Sequence, residues 1–290
     1  MSFRIIQGDC EQLLYERTFR EIGFFKEIDL TFLDPPFNQS KHYARHNDSM
    51  SEEQYWDWME RIVDRIYQLT APGRAIYFMQ REKNAEYVLR CLRKSGWTFQ
   101  NLIVWKKMTS AVPAAIRFGK QYQIIAFATK GKKPKTFNRL RIDPHLLPNQ
   151  KQKRERGVYV TDIWDDIREL TSGYFAGEEP LRVENGERLH KQQSPVRLLT
   201  RIVLSSSNPG DLVLDPFAGT GTAIVVSEQL GRDSIGIELD PGNVEAIESR
   251  ISAQRPTDGV SRFISDYRYT EDLESIWPES DSISRGGNSL

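Results

Sequence analysis

The sequence predicts an α/β protein, a mostly parallel sheet with helices on both faces. Short apolar runs rich in β-branched and aromatic residues alternate with longer helix-like segments. One such run ends abruptly in an acid followed by two prolines, and another passes through a glycine-rich turn straight into a helix pattern. Strands that end in special turns and feed helices are the parts of a parallel sheet covered on both sides.

Taken in order, "FRIIQGD" and "IDLTFLD" read as strands. "SEEQYWDWMERIVDRIYQLT" reads as a helix opened by Ser51, with acids in its first turn to suit the helix dipole. "GRAIYFM", "FQNLIVWKK" and "YQIIAFATK" are further strands, separated by the helix-like "REKNAEYVLRCLRKSG" and a loop near Pro113. From Lys130 to Arg156 the chain is thick with lysine and arginine, carries prolines and shows no sustained period, so it predicts an irregular insert with a basic surface. The insert continues through "GVYVTDIWDDI" and "TSGYFAGEEPLRVENGE". Regular texture returns with the helix "SPVRLLTRIVLSSS" and with the strand, turn, helix and strand of "DLVLDPFAGTGTAIVVSEQLGRDSIGIELD". Beyond Gln254 the composition turns polar, and a mobile tail is expected.

At 290 residues the chain can bury a sizeable core. Lysine plus arginine and aspartate plus glutamate are equal at 40 each, so affinity for nucleic acid has to come from charge distribution. The two cysteines, Cys10 and Cys91, stand far apart, which argues against a disulfide scaffold or structural zinc and favours a reducing compartment. They read as buried small apolar residues. The start lacks a secretory pattern, and no apolar run approaches membrane-spanning length, so a cytoplasmic protein without membrane contact is expected. His42 and His46 lack partner ligands nearby, and no metal is expected.

In "LTFLDPPF", Pro35 and Pro36 offer no backbone N–H and fix their φ angles, while the following proline holds Asp34 extended at the strand's end. In "LDPFAGTGTAIVV", small residues at a strand-to-helix turn leave backbone N–H groups and a helix N-terminus facing a ligand. Glu238, closing the next strand, is an acid that could accept both hydroxyls of a ribose. An adenosine-type cofactor suits this pair. Ile224 stands where a dinucleotide fingerprint needs its third glycine, and the lysine of a phosphate loop is absent.

The early "LDPPF" and the late "DPFAGTGT" with "GIELD" resemble the catalytic and cofactor motifs of S-adenosylmethionine-dependent DNA amino-methyltransferases. With the catalytic motif first, an insert in the middle and the cofactor motif last, the chain is similar to the β class. That class has a His-Pro-Thr-Gln-Lys-Pro-like segment before the cofactor strand; in "HKQQSPVRLL", His190, Gln193 and Pro195 match it, whereas Lys191 and Ser194 depart. The likeness spans residues 3 to 252, weakly through the insert.

The resemblance implies a Rossmann-like methyltransferase fold with permuted motif order. Residues 1–130 would form the catalytic half, 131–189 a target-recognition insert, 190–254 the cofactor half of the same domain, and 255–290 the tail. It implies acceptance of the target amine's hydrogens by the Asp34 side chain and the Pro35 carbonyl, stacking of Phe37 on the base, and rigidity from Pro36. The base would be flipped out of the duplex. S-adenosylmethionine would be bound by Asp215, Pro216, Phe217, Ala218, Gly219, Thr220, Gly221 and Thr222 near its methionine end, by Glu238 on the ribose, and by the segment of His190, Gln193 and Pro195. Asp9 matches the family's acid beside the adenine amine and reads equally well as a helix cap.

Double-stranded DNA is the expected partner. Lys132, Lys133, Lys135, Arg139, Arg141, Lys151, Lys153, Arg154 and Arg156 are candidates for phosphate contact. Lys41, His42, Tyr43 and Arg45, after the catalytic motif, are candidates for a loop over DNA. Trp56 and Trp58 read as helix-packing residues. The class also admits a homodimer and a cognate restriction endonuclease. The acid that opens the catalytic motif favours adenine N6 over cytosine N4. A nicotinamide-dependent oxidoreductase would explain only the glycine-rich turn, and a non-catalytic DNA-binding module only the basic insert.

Overall fold

The strands order themselves by which apolar runs can be buried on both faces. In the computed structural model, which describes residues 2–39, 49–108, 115–143, 155–170, 177–183, 185–190 and 192–278, every residue of β2 (Ile28–Leu33) is buried. It lies at the middle of an eight-stranded sheet. On one side follow β9 (Leu212–Asp215), β10 (Asp233–Glu238) and β1 (Phe3–Gln7). On the other lie β3 (Thr70–Arg81), β5 (Tyr122–Thr129), β4 (Thr98–Lys106) and β8 (Ile163–Trp164). All pairings are parallel except those of β5, which runs against both β3 and β4. The carboxyl ends of β2 and β9 therefore sit side by side where the winding reverses, which is where open α/β sheets place ligands.

Alternate strand residues feed two cores. Ile76, Phe78, Ile124 and Ala126 face α1 (Cys10–Leu13), α2 (Glu16–Glu21), α3 (Glu52–Leu69) and α4 (Ala85–Lys94). Tyr77, Met79, Ile125 and Phe127 face α5 (Val196–Ser206) and α6 (Thr222–Gln229). α7 (Pro241–Ser252) packs beside β1 and β10. Ser51 caps α3 by a full capping box with Gln54, as the sequence predicts. Cys10 and Cys91 are buried thiols, both pushed up by burial.

Three expectations need correction. The insert is not uniformly irregular: β6 (Arg141–Ile142) and β7 (Val158–Tyr159) form a small ribbon, and β8 joins the main sheet at its edge, with Trp164 and Ile167 buried. The catalytic and cofactor halves are interleaved, because β1 lies outside β10. The polar tail is not a free end over its described part. Short 3-10 segments at Pro256–Asp258 and Val260–Tyr267, and α8 (Leu273–Ile276), pack on α5 and α6. A few large residues, Tyr267 and Trp277 among them, supply the burial. Buried cations tie the segment down: Arg250 pairs with Asp258 at 2.6 Å, and Arg232 donates to the Ile276 carbonyl at 2.6 Å. Sparse apolar composition hid this, since each buried aromatic carries a large share of the hydrophobic gain. Among the described residues no helix is long and apolar enough to cross a membrane.

Candidate active site

β2 delivers Asp34 to the carboxyl edge of the sheet, and the two prolines turn the chain there. The turn is braced from behind: the Tyr55 hydroxyl of α3 donates to the Pro36 carbonyl at 2.8 Å and accepts from the Gln80 amide of β3 at 2.9 Å. Tyr55 and Gln80 are both buried, so the bond between them is made away from water. Asn38 follows at φ 51, a left-handed conformation that asparagine tolerates. Its side chain clasps both backbone groups of Met50, at 2.8 and 2.9 Å, closing the chain on either side of residues 40–48.

β9 delivers Asp215 beside this turn. The Asp215 carboxylate accepts from the Phe217 amide at 3.1 Å, and burial, reinforced by the charges of Asp34 and Glu238, pushes its pKa well above the usual carboxylate range. Glu238 closes β10 and ties the glycine-rich turn to it, accepting from Gly219 N at 2.7 Å and Asp240 N at 2.8 Å. Its pKa is raised, chiefly by burial. Gly221 caps α6 at φ +74, and a Cβ there would stand 2.7 Å from Ile247 Cγ2, so the turn admits only glycine without strain.

These edges enclose a cavity of about 620 Å³. Its lining is strongly acidic, with Asp9, Asp34, Asp57, Asp215, Glu238 and Asp240, and its Arg61 is already paired with Glu11 at 2.7 Å. A second cavity, of about 320 Å³, shares Asp34, Gln192, Gln193 and Ser194 with the first and is walled by Phe37, Met79 and Trp105. Lys107 and Glu169 also line it; burial lowers the Lys107 pKa, and Glu169 accepts from Met108 N at 2.8 Å. Ser194 Oγ donates to Asp34 Oδ2 at 3.1 Å, at the junction of the two.

Of the residues expected around a cofactor, Asp9, His190, Gln193, Asp215, Pro216, Phe217, Ala218, Gly219, Thr220, Thr222 and Glu238 line the larger cavity. Asp9 does so while also capping α1, accepting from Glu11 N at 2.9 Å, as its helix-cap reading expects. Pro195 and Gly221 do not line it: Pro195 caps α5, and Gly221 shapes the turn. The Gln193 amide is occupied in bracing the preceding loop, by Leu181 N and the Glu179 carbonyl. Trp58 both packs and lines the cavity, with its ring edge-on to Phe217 at 5.6 Å between centroids. Tyr55 and Gln80 escaped the sequence reading, because a tyrosine on an amphipathic helix and a glutamine in a strand carry no signal of a shared bond.

The basic residues divide. The Lys135 amide donates to the Gly73 carbonyl near the start of β3, whereas Arg81 at the end of β3 pairs with Gln123. Lys132, Lys133 and Lys135 therefore lie at the opposite end of the sheet from Asp34, roughly 20 Å away along the strand. Arg139 and Arg141 stack over the Tyr159 ring at 4.0 and 4.3 Å, and the Arg156 carbonyl accepts from Arg141. Lys41, His42, Tyr43, Arg45, Lys151, Lys153 and Arg154 lie outside the described residues.

The DNA methylase family model for N6 and N4 methyltransferases matches residues 28–249, so the chain belongs to that family. It is 32% identical over 260 residues to the type II methyltransferase M.BamHI of Bacillus amyloliquefaciens, covering 86% of this chain but only 56% of that protein. It is 31% identical over 231 residues to the DNA adenine methyltransferase YhdJ of Escherichia coli, covering 74% of this chain and 73% of that one. The fold is that of the solved M1.HpyAVI–SAM complex, with a TM-score of 0.58 at 21% identity over 86% of this chain and 98% of the other.

The family uses S-adenosylmethionine. The larger cavity fits that molecule on its own chemistry, since a sulfonium and an ammonium suit an acid-lined pocket, and Glu238 stands at the strand end where a ribose is held.

Proposed function

We propose that this protein methylates the exocyclic N6 of adenine in DNA, on a base flipped out of the duplex. The meeting of an acid-lined cofactor cavity and a smaller aromatic-walled cavity at Asp34 carries the proposal. Bound in the larger cavity, S-adenosylmethionine supplies an electrophilic methyl group. Glu238, Asp9 and the backbone of Phe217 to Gly219 would hold it.

The protein's own part is to shape the nucleophile. An exocyclic amine is weak because its lone pair is delocalised into the ring. Asp34 and the Pro35 carbonyl accept the amine's hydrogens, turning the lone pair toward the methyl group, and Asp34 stands ready for the proton the amine loses. Phe37, Met79 and Trp105 enclose the ring, offsetting the few kcal/mol needed to unstack it. The N–C bond would form as the methyl–sulfur bond breaks in a single displacement, the electron pair staying on sulfur as a neutral thioether, favoured by proximity and orientation.

The acid that opens the motif and the likeness to YhdJ, named an adenine methyltransferase, support adenine. Likeness to M.BamHI, named a type II methyltransferase, supports a restriction-modification setting; a cytoplasmic location and a cognate endonuclease go with that reading. Equilibrium sedimentation with and without DNA tests whether the chain acts as a homodimer. The activity is tested by methyl transfer from labelled S-adenosylmethionine to mixed-sequence DNA, followed by mass spectrometry of the nucleosides. N6-methyladenine is expected. N4-methylcytosine would overturn the choice of base, and no methylated nucleoside would overturn the activity.

A further inference from the structure

We infer that Ser194 is a positioning residue for the catalytic carboxylate, so that position 194 serves Asp34 and not the methyl donor; this rests on the methyltransferase reading above. Ser194 Oγ donates to Asp34 Oδ2 at 3.1 Å across 160 residues of sequence. Ser194 lines both cavities, so it stands where the reacting groups meet.

The serine is held on both sides. Before it, the Gln193 side chain accepts from Leu181 N at 2.9 Å and donates to the Glu179 carbonyl at 3.1 Å. After it, Pro195 caps α5, and Val196 N donates to Glu179 Oε1 at 2.7 Å. Arg262 pairs with the other oxygen of the same carboxylate at 2.5 Å. A serine hydroxyl is one bond beyond Cβ, so a fixed backbone fixes the donor to within a choice of χ1. One oxygen of Asp34 is thereby anchored and the plane of the carboxylate is set before the base arrives, which is the preorganisation an acceptor for a reacting amine needs.

The resembling family segment carries lysine at this position. A lysine stem is long enough to carry its ammonium past the carboxylate into the larger cavity, whereas the serine hydroxyl stays at the junction of the two cavities, on Asp34. The departure at 194 thus exchanges reach toward the cofactor for a short bond to the catalytic acid.

The test compares the full-length chain with Ser194→Ala, Ser194→Thr and Ser194→Lys. It measures kcat and KM for DNA, with the dissociation constant of S-adenosylmethionine taken by calorimetry. Ser194→Ala is expected to lower kcat roughly ten-fold or more, the value of a bond to a charged acceptor, with cofactor affinity held within about two-fold. Ser194→Thr keeps the hydroxyl and is expected to restore most of kcat, which a merely structural role would not require. Ser194→Lys, whose ammonium passes the carboxylate, is expected to keep kcat low as Ser194→Ala does. Cofactor affinity lost in Ser194→Ala with kcat intact at saturation would overturn the inference, and so would no change in either. A wild-type chain that methylates no DNA would instead remove the reading beneath it.

Discussion

Replacing Tyr55 by phenylalanine removes one oxygen and leaves the buried Gln80 amide and the half-buried Pro36 carbonyl without their partner. The hydroxyl is the shared member of a chain in which Gln80 donates to it at 2.9 Å and it donates to Pro36 O at 2.8 Å. Tyr55 and Gln80 are 1% and 0% exposed, so water cannot substitute at the Gln80 amide. A buried polar group left unpaired costs about 1–3 kcal/mol. With the Gln80 amide carrying most of the loss and the half-buried Pro36 carbonyl a smaller part, the change should cost about 2–3 kcal/mol. With an m-value of about 3 kcal/mol/M in urea, the unfolding midpoint should fall by roughly 1 M at unchanged slope. Catalysis should suffer too, because the Pro36 carbonyl lies next to the proposed acceptors, so kcat should drop while cofactor affinity holds. Tyr87→Phe is the control: its hydroxyl bonds exposed Glu52 and should cost less than about 0.5 kcal/mol. A Tyr55→Phe shift as small as that of the control would refute the claim that this chain of bonds braces the catalytic turn.

Asp34→Asn should abolish transfer yet leave S-adenosylmethionine binding by calorimetry nearly unchanged; joint loss would mark Asp34 as structural. Gly221→Ala should destabilise the fold by about 1–3 kcal/mol in thermal unfolding, through positive φ and the approach to Ile247. Lys132, Lys133 and Lys135 changed together to alanine should leave the salt slope of DNA binding unaltered, because they lie at the far end of the sheet; a reduced slope would put DNA there. Asp215 has a raised pKa in the fold, so the native state holds its proton more tightly than the unfolded chain does. Stability therefore falls as pH rises from the ordinary carboxylate range through that raised value. Asp215→Asn should stabilise the cofactor-free protein at neutral pH, with the advantage shrinking on acidification; a gap in melting temperature independent of pH would contradict this.

Much of the site was legible because its signals are local. Two prolines after an acid stop a strand whatever lies around them, and Gly219 and Gly221 take positive φ because the turn demands it. Strand runs and the Ser51 cap are equally short-range, and the structure keeps them. Where the basic run from Lys130 lies was not legible, because charge density says nothing about which end of a sheet a loop returns to. That was decided by β5 running antiparallel, which carries Lys130 away from Asp34. The tail misled, since average polarity does not register a few aromatics that find a groove.

By itself, then, the sequence determined the fold class, the strand-end acids and the glycine-rich turn, all of which follow from backbone sterics and hydrophobic period over a few residues. Only the tertiary structure decided that β1 closes the far edge, that Tyr55 and Gln80 brace Pro36, and that Ser194 meets Asp34. These are contacts between segments distant in the chain, and their geometry exists only once burial has brought the segments together and excluded the water that would otherwise take each polar group's bond.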